Sequence, residues 1–221
     1  MLTRKSKEDF SNAIQTEIQK VGYDKTPDTF TKSLSYCYSN IDLLIDSLKQ
    51  TSDIRDVACR PGCSWCCRLP VTARAYEVVY IAEYLKNHWD TLSLFQLKKR
   101  IKSYLKHSAG TTHFTPMQHY NSCPFLEKHH CLIYFMRPIN CQAHNSCNER
   151  TCRAAMEGKP EIIEFNAVMK EVYDVAFSSI HSSFKEMKMD TCHVGLIPGL
   201  KKAMEIHRSM EKYLDQYHLF R

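Results

Sequence analysis

The stretch CRPGCSWCCRLP, residues 59–70, limits what this chain can fold into more than any other feature. It sets Cys59, Cys63, Cys66 and Cys67 within nine residues, spaced C-x3-C-x2-C-C. Pro61, Gly62 and Pro70 keep that backbone from continuing as a helix. A second stretch, CPFLEKHHCLIYFMRPINC at residues 123–141, spaces Cys123, Cys131 and Cys141 as C-x7-C-x9-C, with turns set by Pro124 and Pro138. Nine of the eleven cysteines fall between Cys59 and Cys152. The opening segment MLTRKSKEDFSNAIQ lacks the apolar run of a signal peptide, and no run of roughly 18 apolar residues is available to cross a membrane. A reducing, cytoplasmic setting with no membrane partner is therefore expected. There, clustered cysteines read as metal ligands or reactive thiols rather than disulfides.

Outside these stretches the pattern is helical. Phe10, Ala13, Ile14, Ile18 and Val21 recur at helical spacing, with Ser6 and Asp9 as a capping pair. Phe30, Leu34, Tyr38, Ile41, Leu44, Ile45 and Leu48 form a second stripe, starting at Asp28 or Thr29, with Cys37 on its apolar face. Thr72 is expected to cap a helix running to about residue 88, through Ala75, Val78, Val79, Ala82 and Leu85. Asp90 is expected to cap another, with Leu94, Leu97, Ile101, Tyr104 and Leu105. A long stripe runs from Ile162 to Met187, DTCHVGLIPG interrupts it, and a last helix is expected over about residues 198–217.

Residues 109–158 mostly lose this period and are punctuated by Gly110, Pro116, Pro124, Pro138 and Gly158, with one short helix expected near residues 148–156. The expected fold is mainly α: a single domain, residues 1–221, in which helical flanks (1–58 and 160–221) surround an irregular cysteine-rich core (59–152). Long irregular stretches are unusual inside compact domains. Metal ligation is the expected source of order, because binding energy at a structural site is folding energy.

Thiolates suit zinc, Cu(I) and iron–sulfur clusters. The candidate ligands are Cys59, Cys63, Cys66, Cys67, Cys123, Cys131 and Cys141, more than one tetrahedral site needs. Adjacent cysteines tend to diverge, so Cys66 and Cys67 serve two nearby metals, or one is a bystander. Cys147, Cys152 and His144 are further candidate donors. Four thiolates on zinc carry excess negative charge, which Arg137 would offset while donating hydrogen bonds to sulfur. Tyr134 reads as interior packing, Glu77 as an exposed helix carboxylate, and His129 and His130 as a polar turn. Cys192 and His193 read as packing or solvent-facing residues rather than ligands.

The net charge of +6 is mild, and Lys98, Lys99, Lys102 and Lys106 read as a solvated helix face, so a nucleic-acid partner is not expected. A protein partner stays open. No H-E-x-x-H motif or phosphate-cradling glycine loop is present.

The compound pattern of C-x3-C-x2-CC, CPFL and C-x-x-Y-x-x-RP-x-x-C resembles the bacterial YkgJ-like cysteine-cluster family, which is described as a zinc- or iron-chelating domain. The matching positions are Cys59, Cys63, Cys66 and Cys67, then Cys123 through Leu126, then Cys131, Tyr134, Arg137, Pro138 and Cys141; Glu77 is similar to an acidic position of the family. The resemblance implies zinc or iron, including a [4Fe–4S] cluster, as the cofactor. Flagellin lysine methylases are similar in carrying such a cluster, which implies SAM-dependent protein methylation as an alternative.

The first three cysteines with Trp65 also resemble the cluster loop of radical-SAM enzymes. Those enzymes mount it after the first strand of a partial β/α barrel, whereas NIDLLIDSLKQ, before Cys59, reads as helix. A thiol-redox or metal-transfer protein is a third reading. The leading expectation is a metal-binding protein with a structural or regulatory role.

Overall fold

The computed structural model describes residues 2–50, 54, 57–108 and 121–220. The chain is mainly helical. Helix α1 (Arg4–Tyr23) starts where Thr3 Oγ1 accepts the Ser6 N–H at 3.1 Å, so Thr3 is the cap and Ser6 lies inside the first turn. Helix α2 (Pro27–Gln50) begins at its proline, earlier than expected, and Thr26 Oγ1 accepts the Thr29 N–H at 3.2 Å. Proline suits that position, because its fixed φ fits the helix and its missing N–H would have no helical partner.

A three-residue link folds α2 back on α1, and α7 (Ala167–Glu186) packs against both. Ile14, Ile18, Leu34 and Phe184 are fully buried between them. Helix α7 starts later than its apolar stripe. Asn166 Oδ1 accepts the Val168 and Met169 N–H groups, while Ile162 is left outside the helix at 83% exposure.

The second layer is built on α3 (Ala75–His88). Helices α8 (Leu196–Glu205) and α9 (Ser209–Leu214) pack against α3, and α4 (Thr91–Ser108) packs against α8. Asp90 Oδ1 caps α4 by accepting the Ser93 N–H at 2.9 Å, and Lys98, Lys99, Lys102 and Lys106 are exposed. The single terminal helix expected from the stripe is two helices. Arg208 takes a left-handed backbone (φ 52°) between them, and Lys86 Nζ donates to the Ala203 carbonyl at 3.1 Å near that break. Aromatic rings tie the layers together: Tyr76 stacks on Phe184 at 4.7 Å, and Phe30 meets Phe184 and Tyr213 at 5.6 and 5.7 Å.

Two strands replace elements read as a cap and a break. β1 (Thr72–Arg74) pairs antiparallel with β4 (His193–Gly195), matching Ala73 with Val194, so Thr72 is a strand residue rather than a helix cap. A hairpin, β2 (Leu126–Glu127) and β3 (His130–Cys131), and the short helices α5 (Ile139–Ala143) and α6 (Glu149–Met156) fill the cysteine-rich core. Among the described residues the strands form only these two antiparallel pairs. Residues 109–120, with Gly110 and Pro116, lie outside the described residues.

Glu77 departs most from expectation: it is 1% exposed. Helix α3 runs AYEVVYIA and is buried on all sides, so a charge in that run is buried with it. Glu77 Oε1 accepts the Tyr38 hydroxyl at 3.0 Å and the Ile139 N–H at 2.7 Å; Oε2 accepts the Arg74 N–H at 2.8 Å. One carboxylate thus joins α2, β1, α3 and the start of α5.

Glu77→Ala orphans three buried donors and is expected to destabilise the protein by about 3 kcal/mol or more in urea unfolding; Glu77→Gln keeps most of the shape and costs about 1–2 kcal/mol. Burial pushes the Glu77 carboxyl up despite its hydrogen bonds. The unfolded chain therefore loses this proton first, and stability falls as pH rises from the ordinary value near ~4.3 through the raised one. The Gln variant should lack this slope when unfolding free energy is measured against pH.

Candidate metal centre

The first cysteine loop is shaped by a tight turn. Cys63 N–H donates to the Arg60 carbonyl at 3.0 Å across Pro61 and Gly62, and Gly62 has φ 91°. Pro then Gly with a positive φ is the type II arrangement, which a side chain at Gly62 would strain. A 3-10 turn follows over Trp65–Arg68, where Cys67 N–H reaches the Ser64 carbonyl at 3.1 Å.

The second segment is stitched onto this loop. Cys123 N–H donates to the Cys67 carbonyl at 2.7 Å, Ser64 Oγ lies 3.0 Å from His129 Nδ1, and Ala58 N–H donates to the Ser146 carbonyl at 2.8 Å. Lys128 and His129 take left-handed backbones (φ 45° and 68°), as a two-residue hairpin turn requires, and His130 beside them is exposed. The expected polar turn is therefore the tip of the β2–β3 hairpin. Pro138 precedes α5, which carries Cys141, and Glu77 accepts the first N–H of that helix.

A cavity of about 630 Å³ opens between these pieces, and Cys63, Cys66, Cys67, Cys123, Cys131 and Cys141 are among the residues that line it. Leu105, Leu196 and Ile197 line its apolar side, and His129 and His144 also reach it. Six of the seven candidate cysteines thus come together. Cys59 is not among the walls; it is exposed, on the α6 side of the loop, where Cys152 is buried at 8% exposure. Cys147 N–H donates to the Glu164 carbonyl at 3.0 Å. Cys192 sits by β4 with its thiol 3.6 Å from Asp190 Oδ2, away from the cavity, and Cys37 is fully buried in α2 as expected. Among the described residues, no three His, Cys, Asp or Glu side chains as placed form an arrangement that could hold a metal ion.

Burial raises the thiols at the cavity, and nearby positive charge opposes this only in part. Arg137 lies over the Tyr134 ring at 3.8 Å, and its Nε donates to the Tyr134 carbonyl at 3.1 Å. Its positive charge pulls the Cys66, Cys131 and Cys141 thiols down, and Arg100 does the same for Cys123. Tyr134, expected in the interior, is 42% exposed, with the Arg137 guanidinium over its ring. Desolvation still dominates at Cys123, which is pushed up to about 12, and at Cys141, which is raised well above the usual thiol value. At Cys66 the hydrogen bond with the Cys67 thiol is the largest cause of an upward shift.

Trp65 and Glu149 were not singled out from the sequence as partners. Trp65 Nε1 donates to Glu149 Oε1 at 3.2 Å, and Arg60 pairs with Glu149 at 2.8 Å, so α6 is fastened to the first loop. The aromatic of C-x-W-C was the visible signal, but its acceptor lies far along the chain. Comparison with protein-family models, curated proteins and solved structures finds no match to this chain.

In metal-free, reduced protein, mass-spectrometric mapping of alkylation should find Cys59 modified well before Cys37 and Cys123. Cys59 is an exposed residue whose sulfur is partly desolvated, which raises its thiol to about 11, whereas fuller burial raises Cys37 and Cys123 to about 12. A rate gap of at least about tenfold is expected at neutral pH, because the thiolate is the nucleophile.

Proposed function

We propose that this chain is a cytoplasmic metal-binding protein that holds zinc or iron, including iron in an iron–sulfur cluster, through its two cysteine segments, in a structural or regulatory role. The observation that carries this reading is the meeting of six thiols, from segments far apart in sequence, at one cavity. Apolar burial alone gives no reason for six cysteines to line one cavity. Soft or borderline metals do, because they take thiolate ligands.

The donor set fits the metal. Cys63, Cys66, Cys67, Cys123, Cys131 and Cys141 would supply thiolates, and Arg137 and Arg100 bring positive charge toward them. Their side chains must turn onto a common centre. A turn that leaves a side chain off its rotamer costs about 0.5–1.5 kcal/mol. Zinc bound at a structural thiolate site releases about 10–16 kcal/mol. The reorganisation is the smaller term. A bound ion would clamp the loop at 59–67 to the segment at 123–141, where regular secondary structure is scarce. The resemblance to the YkgJ-like family supports the same reading.

Elemental analysis of anaerobically purified protein should find zinc or iron. Chelation should lower Tm by about 10 °C or more, since each kcal/mol shifts a domain of this size by about 2–4 °C. The paired change Cys123→Ser and Cys141→Ser should lower the amount of metal retained. A metal-free chain with unaltered fold and Tm would refute the proposal.

A further inference from the structure

The cavity at the cysteines is larger than a metal centre fills. Its volume is about 630 Å³. One water takes about 30 Å³ of the liquid, and a divalent ion is smaller than a water. The sulfur ligands of such an ion are already part of the lining. The small inorganic core of an iron–sulfur cluster also leaves space over. Pockets that hold organic molecules span about 300–1,000 Å³, and this cavity falls inside that range.

Much of the remaining lining is apolar, and bonds to which no cysteine contributes hold it. Tyr104 and Leu105 come from the end of α4, Leu196 and Ile197 from the start of α8, and Leu69 and Val71 from the segment that leads into β1. The Leu196 N–H donates to the Val71 carbonyl at 2.8 Å, and β1 pairs with β4 through Thr72 and Gly195. Asn140 Nδ2 donates to the Thr72 carbonyl at 2.8 Å, which joins this wall to α5. The apolar part of the cavity is therefore built by the helical layer and the β1–β4 pair, and it does not depend on a metal ion. A preformed, mainly apolar concavity with a few polar groups is the usual form of a small-molecule site.

Charge narrows the occupant. Among the described residues that line the cavity, Arg137 is the one permanently charged side chain, and there is no lysine, aspartate or glutamate. Thiolates on a metal carry excess negative charge, which Arg137 offsets. An anionic ligand would be repelled by the thiolates, a cationic one finds no carboxylate, and an unpaired charge is costly to bury. We propose that this cavity is a ligand pocket for an uncharged, predominantly apolar small molecule, held beside the metal centre against Leu105, Val71, Leu196 and Ile197. The charge part of the argument rests on the metal-binding reading above; the apolar walls do not.

The test is fluorescence titration of the zinc-loaded, reduced full chain with two probes of one skeleton: uncharged N-phenyl-1-naphthylamine, and 8-anilinonaphthalene-1-sulfonate, which adds a sulfonate. The uncharged probe should bind at a single saturable site, at least about tenfold more tightly than the sulfonate, since the added charge must be buried unpaired. Leu105→Trp and Val71→Trp each fill the space from a half-buried position, from different elements. Each should weaken the uncharged probe by about tenfold or more, because overpacking costs at least about 1 kcal/mol and 1.4 kcal/mol is tenfold. Zinc content and helicity by far-UV circular dichroism should stay at wild-type values. No saturable binding of the uncharged probe to wild type, equal affinity for the two probes, or wild-type affinity in both variants would overturn the pocket while leaving the proposed function standing. A chain that takes up neither Zn²⁺ nor Fe²⁺, yet binds the uncharged probe in the manner that Leu105→Trp weakens, would defeat the proposed function and leave the pocket.

Discussion

The Glu77 carboxylate is the constraint on which the arrangement around the cysteines depends. A carboxylate buried on all sides is costly unless its oxygens are satisfied. Here the donors come from three places: the Tyr38 hydroxyl on α2, the Arg74 N–H at the end of β1, and the Ile139 N–H at the start of α5. The same bonds that make the charge tolerable set the first cysteine segment, which leads into β1, and the second, which leads into α5, at fixed positions on α3. Cys141 sits two residues after the N–H that Glu77 accepts, so its placement follows from that one bond.

Around this anchor the cysteine-rich core is joined by local hydrogen bonds and by Phe125, Ile133, Met136 and Ile139, which are buried in the main hydrophobic core. The Pro61–Gly62 turn, the Cys123-to-Cys67 bond, the Ala58-to-Ser146 bond and the Glu149 bridge each join two local pieces. A single hydrogen bond of this kind contributes only about 1 kcal/mol net.

Most of the long helices were readable because they carry an apolar stripe and a local cap. Asp90 capping α4 and the short helix after Asn148 are cases where the signal was complete within a few residues. The failures have equally specific causes. β1 and β4 are three residues each, too short to show alternation, and they form only because 72–74 and 193–195 meet. Glu77 was misread because a charged residue on a helix is usually exposed, although the apolar run around it marked α3 as a helix buried on every side. The terminal stripe was continuous in pattern, yet Arg208 breaks it by taking a left-handed backbone.

The sequence by itself determined the mainly helical flanks, the turn at Pro61–Gly62, the hairpin tip at His129 and the concentration of thiols in two segments. Each of these is written in residues a few positions apart. Only the tertiary structure decided which cysteines line one cavity. The α6 segment docks on the first loop through Glu149, while the backbone of that loop meets the second segment where the Cys67 carbonyl accepts the Cys123 N–H. The physical reason is that cysteine spacing specifies how far a thiol can reach along its own segment, whereas the partner it reaches depends on contacts made by other residues far along the chain.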